Sequence, residues 1–147
     1  MEVRFYSSVK NSLLKFAVIV SMYQNQWVYC KHKQRDTYEV PGGHREAGED
    51  ILSAAKRELF EETGATEYDI RPVCAYSVDD HDGETFGMLY FADIKSFGEL
   101  PAFEMEKVAL FPGIPDKLTY PMIQPKLVEK AISAVFPEKS KSRRTTP

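Results

Sequence analysis

The chain has 147 residues, 43% of them hydrophobic, with 19 basic against 22 acidic side chains for a net charge of −3. That length and apolar content suit one globular domain with its own core, and the slightly acidic balance supplies no general field for nucleic acid. Cys30 and Cys74 belong to no CxxC pair, which argues against a disulfide or metal staple and for two reduced packing cysteines.

In chain order, apolar alternation and turn punctuation predict strands over 13–23, 26–33 and 37–40. The apolar run at 16–20 is too short for a membrane span and no cationic leader precedes it, so a cytoplasmic protein without membrane attachment is expected. Lys31, His32, Lys33 and Arg35 close the second strand; they read equally as a solvated strand end or as a cation source for a polyphosphate. Val40-Pro41-Gly42-Gly43 follows the third strand, and reads as a turn whose glycines let the backbone approach a neighbour closely.

A helix is expected over 50–63, since no glycine or proline interrupts residues 49–63 and Gly64 stands where a left-handed C-terminal cap is cheapest. At about 100° per residue, Leu52, Ala55 and Leu59 form its buried stripe. Glu58 and Glu62 lie one turn apart at the edge of that stripe with Glu61 further round, so three carboxylates gather near one point. Like charges at that spacing repel, and the C-terminal end of a helix disfavours anions. A solvated acidic face with Arg57 paired to Glu61 is the plain structural explanation; a bound hard cation with oxygen ligands is the functional one.

Beyond the helix come strands over 68–78 and 86–94, a loop through Gly98 and Pro101, a strand over 105–111 and a helix over 121–135. Two helices punctuating a strand-rich chain argue an α/β protein with a mixed sheet between helical layers. The domain is taken as residues 1–137, with 138–147 a basic, disordered tail. His44 and His81 have no partner at metal spacing and read as loop histidines. Tyr38, Phe86 and Tyr90 are apolar enough for the core and aromatic enough to stack on a base.

Residues 43–65, GHREAGEDILSAAKRELFEETGA, place Gly43, Glu49, Arg57, Glu58, Glu61, Glu62 and Gly64 at fixed spacing. That spacing resembles the Nudix hydrolase signature at every charged and glycine position, with Ala65 where the family prefers a larger aliphatic residue. The resemblance implies a Nudix-like α/β/α sandwich with a mixed β-sheet. It implies an enzyme that hydrolyses a phosphoanhydride in a nucleoside diphosphate linked to a further group, with Mg2+ as cofactor and Mn2+ as the alternative. On the matching positions, Glu58 and Glu62 would be the principal metal ligands, Glu61 a ligand or water-activating base, and the Gly43 carbonyl an auxiliary ligand. Arg57 would orient the carboxylates through Glu49 or Glu61. Glu104 and Glu106 fall where such enzymes often place another acid on a late loop.

Size and the Leu118-Thr119-Tyr120-Pro121 stretch look similar to MutT-type nucleoside triphosphate pyrophosphatases, including those acting on oxidised guanine such as 8-oxo-dGTP. An RNA 5′ pyrophosphohydrolase and a catalytically silent ligand-sensing module are the alternatives. The resemblance also allows a homodimer, for which no surface stands out.

Overall fold

The computed structural model describes residues 1–137. β1 (Glu2–Tyr6), β2 (Leu14–Tyr23), β3 (Gln26–His32), β4 (Tyr38–Glu39) and β5 (Gly42–His44) precede α1 (Ile51–Thr63), and β6 (Ala65–Asp80), β7 (Gly83–Phe97), β8 (Met105–Phe111) and α2 (Gln124–Val135) follow. The tail expected over 138–147 lies outside the described residues. No described helix is long and apolar enough to cross a membrane.

The strands form one mixed sheet in the order β1-β6-β7-β2-β3-β4, with β5 also on β2 and β8 also on β3. β2 is the hub. One edge runs parallel to β7 from Leu14↔Phe86 to Met22↔Asp93. Its other edge pairs first with β5 at residues 16–18 and then with β3 at Met22 and Tyr23. The β2–β3 turn is Gln24-Asn25, both at positive φ (50° and 66°), as a tight hairpin following the twist of its strands requires.

Strand alternation sorts the core into two layers. Ala17, Ile19, Val28, Tyr90 and Ala92 turn toward Ala54, Ala55 and Leu59 of α1. Their neighbours Val20, Tyr29, Leu89 and Phe91 turn toward Leu127, Val128, Ala131 and Ile132 of α2. The molecule is therefore an α/β/α sandwich. Cys30 and Cys74 are both free thiols, buried within it.

α1 is fixed at both ends by local chemistry. The Asp50 carboxylate accepts the Ser53 N–H at 2.8 Å, the N-cap bond that satisfies an orphan donor of the first turn. Gly64 ends the helix at φ 76° and its N–H returns to the Phe60 carbonyl, a left-handed cap that any Cβ would strain. The buried face differs from the wheel reading in its first turn. Leu52 is 39% exposed, and the apolar layer meets Ile51 there instead.

Three further differences have local causes. β1 is an edge strand, paired to β6 from Glu2↔Asp79 to Tyr6↔Ala75 and nowhere buried, so its sequence carries little of the apolar alternation that marks a strand. The Gly42–Gly43 turn is in fact β5, hydrogen-bonded to β2; its glycines are needed because a Cβ on Gly42 would stand 2.6 Å from the Ala17 carbonyl oxygen. α2 begins at Gln124 rather than 121. Residues 120–123 form a turn closed by the Gln124 N–H on the Tyr120 carbonyl, and Pro125 occupies the first helical turn, where its missing N–H has no partner to lose.

Leu59 is fully buried and anchors α1, and hence its carboxylates, to the sheet. Leu59→Ala is expected to destabilise the protein by about 2–5 kcal/mol, read as a shift in the urea midpoint with an unchanged slope.

Candidate active site

The polar face of α1 is organised by one guanidinium. Arg57 donates from Nε and Nη2 to both oxygens of Glu49, at 2.8 and 3.0 Å. It donates from Nη1 to Glu58 Oε1 at 2.8 Å and to Glu61 Oε2 at 3.2 Å, and from Nη2 to the His44 carbonyl at 2.9 Å. Glu46 stands 3.4 Å from Nε. The planar fork thus ties the 44–49 loop to the helix, a geometry that a lysine ammonium does not reproduce. The Glu49 carboxyl is held down at about 2, first by its bonds from Arg57 and then by the Glu46 N–H. Arg57 is correspondingly raised above the ordinary arginine range, chiefly by Glu49, against the opposing effect of burial.

β5 supplies the opposite wall. The Gly42 N–H donates to Glu62 Oε1 at 2.8 Å. A Cβ on Gly43 would fall 2.5–2.7 Å from the Glu58 carboxylate, so glycine lets the strand lie against that group where a side chain would push the carboxylate aside. Both carboxylates face a cavity of about 630 Å³. Glu49 and Glu61 are held by Arg57 behind this wall and do not line it.

Other candidate side chains from the sequence meet the α1 carboxylates across the cavity. Glu104 lines it, with the His32 Nε2 3.6 Å away and its own carbonyl accepting the Lys33 N–H. Glu106 is turned to Lys31 Nζ at 3.2 Å. Of the strand-end cations, His32 and Arg35 reach the cavity. His44 lines it as well, its ring 4.4 Å from that of Phe16, while His81 lies in the exposed β6–β7 turn. Glu39, only 8% exposed, is a cavity carboxylate that motif spacing does not single out; it carries Arg35 at 3.4 Å. Its signal is a lone acidic residue inside an otherwise uncharged strand running into Pro41.

The aromatic walls are Phe16, Tyr76 and Tyr120. Tyr38, Phe86 and Tyr90 are not among them. Tyr90 is sealed under α1, Tyr38 packs edge-on to Phe111, and Phe86 is tilted on Tyr6.

Electrostatically the cavity is poised for a cation. Burial drives the Glu62 carboxyl up to about 8, opposed by the Gly42 N–H and reinforced by Glu58, Glu39 and Glu104. Glu58 is also raised by burial, against the pull of Arg57. Among the described residues no three His, Cys, Asp or Glu side chains already converge as a metal cage; Glu58 is turned to Arg57 and Glu62 to Gly42. Clustered, partly desolvated carboxylates beside exposed backbone nevertheless form the oxygen-rich donor set that a hard divalent ion takes.

The sign of the resulting pH dependence follows from Glu62. Unfolded, it loses its proton near 4.5; folded, near 8. The metal-free fold holds the extra proton between these values, so the stability from this group is present below about 4.5 and is lost as pH rises to about 8. The effect of Glu49 has the opposite sign and acts only below 4.5. Thermal melts in chelator should show Tm falling across the upper window, and Glu62→Gln should flatten the slope. Added divalent cation should raise Tm most at the alkaline end.

The NUDIX domain model matches residues 13–112, more than half of the chain. A curated relative, "Putative 8-oxo-dGTP diphosphatase YtkD" of Bacillus subtilis, is 31% identical over 106 residues, which span 71% of this chain and 66% of that protein. The structure of the pyrophosphohydrolase BsRppH of Bacillus subtilis superposes with a TM-score of 0.75 at 24% identity, covering 91% of this chain and 92% of that one. The NUDIX domain of Shewanella oneidensis NrtR, solved with ADP ribose, superposes with a TM-score of 0.63 at 16% identity over 90% and 88% of the two chains. Members of this family generally use divalent metal ions. The chain belongs to the NUDIX family.

Proposed function

We propose that the protein is a Mg2+-dependent nucleotide pyrophosphatase that converts a (deoxy)nucleoside triphosphate, 8-oxo-dGTP foremost, to the monophosphate and pyrophosphate. The observation that carries this reading is the seating of Glu58 and Glu62 against the glycine backbone of β5 inside the cavity. Water adds to phosphorus, the bond to the bridging oxygen between the α- and β-phosphates breaks, and the proton lost by water balances the charge on the released pyrophosphate. Glu58 and Glu62 would hold the metal with the Gly43 carbonyl as auxiliary ligand, and Mn2+ would fit the same oxygen donors. When bound, the ion neutralises charge on phosphoryl oxygens and acidifies a water.

The chain's own residues set the geometry. Arg57 and Glu49 keep Glu58 pointed at the cavity, and Glu61, held by Arg57, is placed to ligate or to take a proton if the guanidinium releases it. Among the late acids, Glu104 faces the phosphate end while Glu106 is engaged by Lys31. Arg35 is placed to meet a polyphosphate.

The 31% identity to YtkD of Bacillus subtilis, named as an 8-oxo-dGTP diphosphatase, supports the oxidised-guanine substrate. Removal of the 5′ pyrophosphate from RNA is the second reading, in keeping with a fold shared over nine-tenths of the chain with a pyrophosphohydrolase. A silent sensing module is disfavoured because every carboxylate of the signature, Glu49, Glu58, Glu61 and Glu62, is present.

The test is hydrolysis by wild type and Glu62→Gln, with Mg2+ or chelator, of ordinary triphosphates, 8-oxo-dGTP, ADP-ribose and 5′-triphosphorylated RNA, resolving pyrophosphate from orthophosphate. Pyrophosphate release that falls at least about a hundredfold in Glu62→Gln while its melt remains cooperative is the expected outcome. Glu62→Gln turning over at the wild-type rate would refute the site. Arg57→Lys should lose most of kcat with little change in KM, since it disturbs carboxylate placement rather than substrate contact.

A further inference from the structure

We propose that Gln124 and Tyr76 form a nucleobase-reading pair in which Gln124 selects a base presenting an outer-edge carbonyl, as guanine-type bases do, over adenine. This rests on the nucleotide reading of the cavity and names the chemistry of its other end.

Gln124 opens α2 and is only 7% exposed. Its Oε1 accepts the Val40 N–H at 2.9 Å. A backbone N–H can only donate, so this bond fixes which end of the amide is oxygen. The Nε2 end, with two hydrogens, is turned away from Val40. Gln124 lines the cavity, and Nε2 has no partner among the described residues. Tyr76 is 4% exposed and lines the same cavity, its hydroxyl likewise without a partner among them. The Tyr76 ring owes its position to Gly87, the residue opposite it on β7: a Cβ there would stand 2.7 Å from the phenolic oxygen.

Buried polar groups in folded proteins are ordinarily paired. Among the described residues, the single fully sealed side-chain polar atom without a partner is the Tyr29 hydroxyl, so the polar ends of Gln124 and Tyr76 open on the cavity instead. Around them the walls are apolar, with Val18, Val78, Ile123 and Leu127, as a ligand's flat face requires. Val40 and Gly42 are two residues apart, and Gly42 bonds Glu62. That is roughly 7 Å of extended chain, room for one sugar between phosphates at the carboxylates and a base at the amide.

The amide sets the choice of base. Guanine carries two acceptors, O6 and N7, on its outer edge, and 8-oxoguanine keeps the O6 carbonyl beside an N7 that bears hydrogen, whereas adenine puts an amino donor in the place of O6. Against adenine, one Gln124 N–H could still reach N7, but the other would face the N6 amino donor and go unpaired. The Tyr76 hydroxyl donates or accepts, so it strengthens binding of either base without choosing between them.

Gln124→Glu is the informative change because a carboxylate oxygen still accepts the Val40 N–H while the donor end becomes an acceptor of the same size. The readout is kcat/KM for GTP, dGTP and 8-oxo-dGTP against ATP and dATP. Wild type should favour the guanine series by roughly tenfold to a hundredfold. Gln124→Glu should erase or invert that ratio, and Tyr76→Phe should lower both series while keeping it. Gln124→Met, which has the length but no hydrogen-bonding group, should bring the ratio to within about threefold even if the glutamate variant folds poorly.

A wild-type ratio near one, or one unchanged in both Gln124 variants, overturns the inference while leaving hydrolysis intact. If wild type hydrolyses no nucleotide, calorimetric binding of GTP and ATP decides. Guanine preference that disappears in Gln124→Glu upholds base reading and removes the hydrolase; equal binding of the two overturns the pair.

Discussion

The site depends on a charge problem and its partial solution by Arg57. Four carboxylates and a carbonyl surround that guanidinium, and without it the loop and the helix would present mutually repelling acids with nothing to hold them in register. Arg57 neutralises only part of the cluster. Glu49 is fully satisfied, but Glu62 has a single backbone N–H and the repulsion of Glu58, Glu39 and Glu104. Burying an incompletely paired carboxylate costs stability, and the fold retains that cost at the one place where a cation and a polyphosphate would relieve it.

Topology explains why these groups share a cavity. The segment from β4 to β5 crosses from β3 to β2: Tyr38 and Glu39 pair with β3, whereas residues 42–44 pair with β2. Pro41 sits at the crossing and its carbonyl accepts the Ile19 N–H, so even the step between strands is anchored. β2 and β3 touch only at their hairpin end, and the gap between them is bridged by this one segment. Glu39 and Gly43 are thereby delivered from different strands to the same opening, which the end of α1 closes with Glu58 and Glu62.

Much of this was legible because it is local. Helix length follows from an uninterrupted run of helix formers between Asp50 and Gly64, and the carboxylate positions follow from spacing on that helix. The rest depends on what packs where. Leu52 has the right wheel angle, yet the first turn of α1 offers Ile51 to the core. Gly42 and Gly43 look like a turn because the same freedom serves a close-packed strand, and only the position of Ala17 and Glu58 distinguishes the two. Glu39, Tyr76 and Gln124 belong to no spacing pattern; they meet at the cavity through tertiary packing, such as the bond from the Val40 N–H to Gln124, 84 residues away in sequence. The stacking candidates Tyr38, Phe86 and Tyr90 failed for a related reason. Composition identifies an aromatic residue, whereas packing decides where it goes: Tyr90 turns to the α1 layer, while Tyr38 shares the α2 layer with Tyr76 but packs edge-on against Phe111.

The two-layer core gives this arrangement a functional consequence. The carboxylates ride on α1, whose anchors Ala54, Ala55 and Leu59 belong to the layer on one face of the sheet. Tyr76, Leu127 and Val40 belong to the layer on the other face, and α2 brings Gln124 with it. The carboxylates and the proposed base contact are thus rooted in separate layers of packed side chains, and residues 40–42 carry a bond to each end. Substitutions beneath α2 can reshape the base end without disturbing the Arg57 network, because no Arg57 contact lies in that layer. The covalent link between the ends is short enough to keep them in register: the Val40 N–H holds the amide and the Gly42 N–H holds Glu62. A displacement of this strand segment would therefore be felt at both ends together, so its anchoring to β2 through Pro41 serves alignment as much as stability.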